Sequence, residues 1–93
     1  MTGSARRALF ALAAVVAAAV TGIFAFVGDG VPPRTDGGVL AVAANHGHTA
    51  AWALLTVSFT VAAVRGAWST ASQVPAMGGL ACYAAFLLAT FVF

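Results

Sequence analysis

Residues 39–64 read VLAVAANHGHTAAWALLTVSFTVAAV, an apolar run with no Lys, Arg, Asp or Glu in it. A helix rises about 1.5 Å per residue, so a hydrocarbon core of about 30 Å takes about 20 residues. This stretch exceeds that length, which suits a tilted span or a span with an interfacial lead-in. On either side the pattern returns, as ALFALAAVVAAAVTGIFAFVG at 8–28 and VPAMGGLACYAAFLLATFVF at 74–93. The charged residues Arg6, Arg7, Asp29, Arg34, Asp36 and Arg65 all fall outside the three runs.

Those runs decide the solvent. Of 93 residues, 62% are hydrophobic and 6% charged, against about 25% charged in a water-soluble domain. A chain this short cannot hide three such segments behind a polar shell, so lipid must surround them. A barrel would need segments of about ten residues alternating apolar and polar, and the runs do not alternate. The reading is an all-α integral membrane protein. It forms a single membrane domain over 1–93, with transmembrane helices near 8–28, 39–64 and 74–93 and loops at 29–38 and 65–73.

Arg6 and Arg7 ahead of an alanine-rich run resemble a secretory signal. The run continues through Ile23, Phe24, Ala25, Phe26 and Val27, so a retained first helix is expected. Arg6, Arg7 and Arg65 flank one side of the spans and Arg34 the other. The positive-inside rule then places the N-terminus and the second loop in the cytoplasm, and the first loop and Phe93 outside. Trp68, just past the second helix, suits the headgroup level. The expected location is a bacterial plasma membrane, crossed several times. Four dispersed Arg make no nucleic-acid patch. The lone Cys82 can close no internal disulfide, and a buried, inert thiol is expected there.

Between the helices, Gly and Pro punctuate 28–38, where Pro32-Pro33 favours an extended piece and Thr35 or Asp36 can cap the second helix. Pro75 is expected in the first turn of the third helix, where its missing N–H costs little. Ala14, Ala18 and Gly22 recur at four-residue spacing, as do Ala81, Ala85 and Ala89. Each set forms a small-residue groove that lets another helix come close. Asn45, Thr49, Trp52 and Thr56 make a stripe on the second helix. Its hydroxyls and amide bond either their own backbone or a neighbouring helix.

The cluster Asn45, His46, Gly47, His48, Thr49 is where polar chemistry would sit. Residues two apart on a helix point about 200° apart, so helical His46 and His48 cannot share a metal. An extended lead-in could align them, and Asp29 or Asp36 could join to make a zinc or copper site. One His could ligate a haem from one side. The alternative is an interfacial role, in which Asn45, His46, His48, Thr49 and Trp52 meet headgroups or a partner at the outer face. No ionisable group lies inside a span to mark a proton relay or ion path. No Ser-His-Asp set, carboxylate pair or phosphate loop is assembled. An enzyme is therefore not expected, nor is a cofactor.

In size, helix count and bias to Ala, Val and Gly, the whole chain resembles the small accessory subunits of actinobacterial respiratory supercomplexes, which join a cytochrome bcc complex to a terminal cytochrome oxidase. The likeness is architectural and transfers no site residue. It implies a non-catalytic subunit packed against larger integral membrane subunits, with haem and copper held elsewhere. Two other functions stay open: a small pore or transporter subunit, and a metal- or haem-handling protein using His46 and His48.

Overall fold

A computed structural model describes residues 2–93 and is all-helical among them. Helix α1 spans Gly3–Phe26, α2 spans Gly38–Arg65 and α3 spans Thr70–Leu87, running on into a π-helical turn at Leu88–Val92. Three helices are long and apolar enough to cross a membrane. The chain is a multi-pass membrane protein.

All three helices start before the apolar runs, at Gly3, Gly38 and Thr70, while α1 stops at Phe26, short of the end of its run. Thr2 accepts a hydrogen bond from the Ala5 N–H and caps α1, so Arg6 and Arg7 lie in its early turns rather than ahead of it. Helix α2 begins at Gly38, with Gly37 as its cap and no side-chain bond there. Neither Thr35 nor Asp36 caps it. Helix α3 starts at Thr70, because Ser69 is a cap-type residue and its carbonyl accepts from Ser72 and Gln73 N–H. Pro75 therefore falls in the second turn and inside the helix, where it leaves the Ala71 carbonyl without its usual donor.

Connections at both ends are tight. Helix α2 stops at Gly66, which adopts the left-handed conformation (φ 76°, ψ 10°) and returns its N–H to the Ala62 carbonyl at 2.8 Å. A Cβ there would also stand 2.8 Å from Arg7 Nε, so the Arg7 guanidinium covers the carbonyl end of α2, where the helix dipole favours a cation. Trp68 closes this end. Its ring lies 6.4 Å from Phe10 and 5.9 Å from Phe59, and its indole N–H donates to Gln73 Oε1 at 2.9 Å.

Helix α2 is the middle element. Helices α1 and α3 each pack along it, while no Cα of α1 lies within 8 Å of a Cα of α3. The core is correspondingly thin and built mostly from alanine: Ala17 on α1, Ala41, Ala44, Ala51 and Ala62 on α2, then Phe86 and Ala89. Small side chains let helices approach closely where hydrophobic burial gives no gain over lipid.

The α2–α3 seam is the closest approach. A Cβ on Gly47 would stand 2.9 Å from the Cys82 carbonyl oxygen and 3.0 Å from Phe86 Cβ, and one on Gly79 3.1 Å from the Ala51 carbonyl oxygen. That antiparallel register sets Ser58 opposite Ser72. Both are fully buried, and neither hydroxyl has a hydrogen-bond partner.

Candidate functional site

Polar side chains gather where the first loop meets the ends of α1 and α3 and the early turns of α2. The backbone of the loop is shaped first. Gly28 (φ 121°) turns the chain out of α1, a conformation that favours glycine. Asp29 then accepts the Val31 N–H through Oδ1 at 3.0 Å, an Asx turn that orients its carboxylate. The second oxygen, Oδ2, lies 3.3 Å from His48 Nδ1.

Asn45 holds the other end of the loop. Its Oδ1 accepts the Arg34 N–H at 2.7 Å and its Nδ2 donates to the Arg34 carbonyl at 2.9 Å. One side-chain amide thus pairs with both backbone groups of one residue, as a strand neighbour would. Arg34 itself reaches two ways. Nε donates to both oxygens of Asp36 at 2.8 and 2.9 Å. Nη1 donates to the Ala89 carbonyl at 2.6 Å, and Nη2 to the Phe93 carbonyl oxygen at 3.4 Å. These carbonyls belong to the last helical turn, Leu88–Val92, and its cap Phe93, where the final carbonyls of a helix have no intrahelical donor.

His48 is the centre of the site. Its ring stacks on Phe86 (centroids 4.6 Å, interplanar angle 21°) and meets Phe24 at 4.6 Å and Tyr83 at 5.4 Å. One imidazole therefore touches aromatic rings from α1 and α3 while its Nδ1 faces the loop. The His48 and Asp29 side chains are 21% and 14% exposed, so the contact between them is largely withdrawn from the surface. Beside the ring a cleft of about 320 Å³ opens between α2 and α3, with His48, Trp52 and Leu55 on one wall and Gly79, Leu80 and Tyr83 on the other.

The expected site residues separate. His46 and His48 are both inside α2, so an extended lead-in does not exist. His46 is exposed on a different face from His48, and a metal shared by the two is not assembled. Asp29 joins His48, but Asp36 turns to Arg34. Among the described residues, no three His, Cys, Asp or Glu side chains group to hold a metal ion. Asn45, His46, His48, Thr49 and Trp52 do not present one surface. Asn45 and Thr49 line a hollow beneath the loop, Trp52 lines the α2–α3 cleft, and only His46 of the five is exposed.

The small-residue sets divide in the same way. Ala14 is half-buried, but Ala18 is exposed and a Cβ on Gly22 would meet nothing within 4 Å. Ala81 and Ala85 are exposed, and Ala89 is buried under Arg34. Within the chain the close contacts fall instead on Ala17, Gly47 and Gly79. Thr56 and Thr60 bond back to the Trp52 and Thr56 carbonyls, as does Thr21 to Ala17, so these hydroxyls satisfy themselves within their own helices. Sequence reasoning missed Phe24, Tyr83 and Phe86 as neighbours of His48, and Arg34 as more than a topology charge. The glycines of α2 and α3 were the available signal for the seam, since glycine inside a helix costs about 1 kcal/mol unless a neighbour needs the space.

Comparison of the chain with family models, curated proteins and solved structures finds no match.

Proposed function

We propose that this chain is a non-catalytic accessory subunit that packs against larger integral subunits of a bacterial plasma-membrane complex. The observation that carries the reading is the exposure of Ala18 on α1 and of Ala81 and Ala85 on α3, with open space where a Cβ on the half-buried Gly22 would stand. Small residues along a helix face are useful where another helix approaches closely. The chain uses other positions for its own packing, which leaves two such faces free for partners.

Burial adds to this. Within an apolar 18-residue stretch of each span only 11%, 22% and 17% of the residues are buried, for Gly3–Phe26, Gly38–Arg65 and Thr70–Val92 in turn. The loops are short and fastened back to the helices by Asn45, Arg34 and Trp68, so little else projects to do work. The parent complex this reading favours is a respiratory electron-transport supercomplex, on the architectural likeness alone. Arg7 sits at the α2 end beside Gly66, with Arg6 and Arg65 at the same end of the helices. The positive-inside rule makes that end cytoplasmic and puts the His48 site and Phe93 outside.

The pore reading loses support from the Thr hydroxyls, which turn back on α2 rather than line a path. The test is isolation of the tagged chain in mild detergent. Larger haem-bearing subunits should co-elute in fixed ratio, and Gly22→Leu or Ala85→Leu should strip them while the chain itself stays folded. Elution as a lone, folded monomer from native membranes would sink the proposal.

A further inference from the structure

Both acidic residues of the chain lie in the first loop, and both are engaged there, Asp36 by Arg34 and Asp29 by His48. The opposite end of the helices carries the other three Arg and no acid. Arg6 and Arg7 lie in the early turns of α1, Arg65 is the last residue of α2, and all three are exposed. The fold draws two of them together from different helices. The Arg7 guanidinium stands over Gly66, the residue after Arg65, with Nε 2.8 Å from where a Gly66 Cβ would be. Helices α1 and α3 both begin at this end and only α2 finishes there. Two positive helix termini thus face one negative one, and Arg7 already covers the negative one.

The depth of this cluster determines what it meets. Arg7 directly precedes one apolar run and Arg65 directly follows another, which sets both at the headgroup level. Trp68, against Phe10, marks the same level. Beneath the Arg side chains, Leu9 and Leu12 on α1 and Val64 on α2 are exposed. A cationic rim directly above an exposed apolar surface matches an amphiphile that carries an anion and acyl chains in the same order. A zwitterionic headgroup would bring its own ammonium to an end that has no carboxylate to receive it. A headgroup whose only charge is a phosphodiester brings no such repulsion, and a guanidinium fork fits two phosphate oxygens. Basic sites between membrane helices hold anionic headgroups in this way.

We propose that the Arg7–Arg65 end of the α1–α2 seam is a binding site for an anionic phospholipid, its phosphodiester held by the two guanidinium groups and its acyl chains lying along the apolar surface below. Arg6 adds to the charge of the rim. The site differs from general attraction to a charged leaflet, because tertiary packing brings Arg7 to the end of another helix. It depends neither on the chain's being a subunit of a complex nor on which side of the membrane this end occupies.

The fourth Arg, Arg34, is tied to Asp36 at the other end, which gives an internal control. The full chain, labelled with ¹⁵N-arginine, is placed in phosphatidylcholine bicelles at about 0.15 M salt, where attraction between exposed charges is screened beyond about 8 Å. Phosphatidylglycerol then replaces phosphatidylcholine stepwise. The Arg7 and Arg65 Nε resonances should shift together and saturate at a low mole fraction, while that of Arg34 stays still. Arg7→Gln and Arg65→Gln should each raise the half-saturating fraction at least threefold. Inorganic phosphate added to pure phosphatidylcholine bicelles should move neither resonance. A shift that never saturates, that Arg34 shares or that does not occur in the unaltered chain would overturn the proposal, as would unchanged titrations in both variants. Saturation by inorganic phosphate would overturn the lipid assignment and make this a site for a free anion.

Discussion

Arg34 Nη1 donates to the Ala89 carbonyl at 2.6 Å across 55 positions of sequence. That bond ties the first loop to the end of the third helix. It sits where the helix has widened into a π turn, with Phe93 N–H reaching the Leu88 carbonyl. A cation at a helix C-terminus is stabilising through the dipole as well as through the bond. The guanidinium fork matters because one side chain serves Asp36 and two main-chain carbonyls at once.

Arg34→Ala should therefore loosen the last turn without melting the helices. A hydrogen bond from a charged donor contributes about 1.5–3 kcal/mol, and partial exposure puts this one toward the lower end. Hydrogen exchange of the Phe93 amide should accelerate by roughly tenfold or more, since about 1.4 kcal/mol is a factor of ten. Arg34→Lys should recover only part of the protection, because an ammonium cannot reach both partners in one plane. Unchanged exchange in both variants would mean that the tie contributes nothing.

Gly47→Ala should destabilise the chain by about 1–3 kcal/mol, the range for forcing an extra carbon into a packed contact. The added Cβ would meet the Cys82 carbonyl at 2.9 Å, and backbone cannot swing aside as a side-chain tip can. Gly22→Ala, with nothing within 4 Å of its Cβ, should be neutral or mildly stabilising in the isolated chain. Reversible unfolding in bicelles compares the two. Equal effects would show that the seam is looser than the structure has it.

Ser58 and Ser72 are buried opposite one another with both hydroxyls unpartnered. A buried polar group left unpaired costs about 1–3 kcal/mol. Replacing both with Ala should raise the unfolding free energy by about 1 kcal/mol, with the same assay as the measure. A loss of stability would reveal that the hydroxyls bond each other across the helices.

Topology offers a further check. Neutralising Arg6, Arg7 and Arg65 together should produce a mixed orientation in a tag-accessibility assay, because those three supply the charge asymmetry between the ends. A single orientation surviving that change would show that something other than charge sets it.

Much of the architecture is legible without coordinates. Three uncharged runs of spanning length predict three membrane helices, and three appear. All three begin earlier than the apolar runs suggest. Polar residues such as Thr70 and Ser72, behind the cap Ser69, begin α3 before hydropathy alone would start it, and Thr2 caps α1 before its apolar run begins. The spacing argument on His46 and His48 applies once both are helical. Its extended alternative disappears because α2 starts at Gly38.

The site was less legible. Asn45 read as a stripe or interfacial residue, yet it clamps Arg34 across a loop. Small residues at four-residue spacing marked faces of α1 and α3, but the chain packs mostly through different small residues, Ala17, Gly47 and Gly79. Spacing identifies a smooth helix face, and every alanine-rich helix has several.

By itself the sequence determined the solvent, the secondary structure and the number of crossings. These follow from transfer free energies that each stretch carries locally: an uncharged run of that length has no other stable place than lipid. Tertiary structure decided which helix is central, which glycines meet a backbone and which carboxylate faces His48. Those depend on register and crossing geometry. Ala, Val and Phe cost little against lipid on any face, so their pattern leaves that choice to close packing and to a few long-range hydrogen bonds.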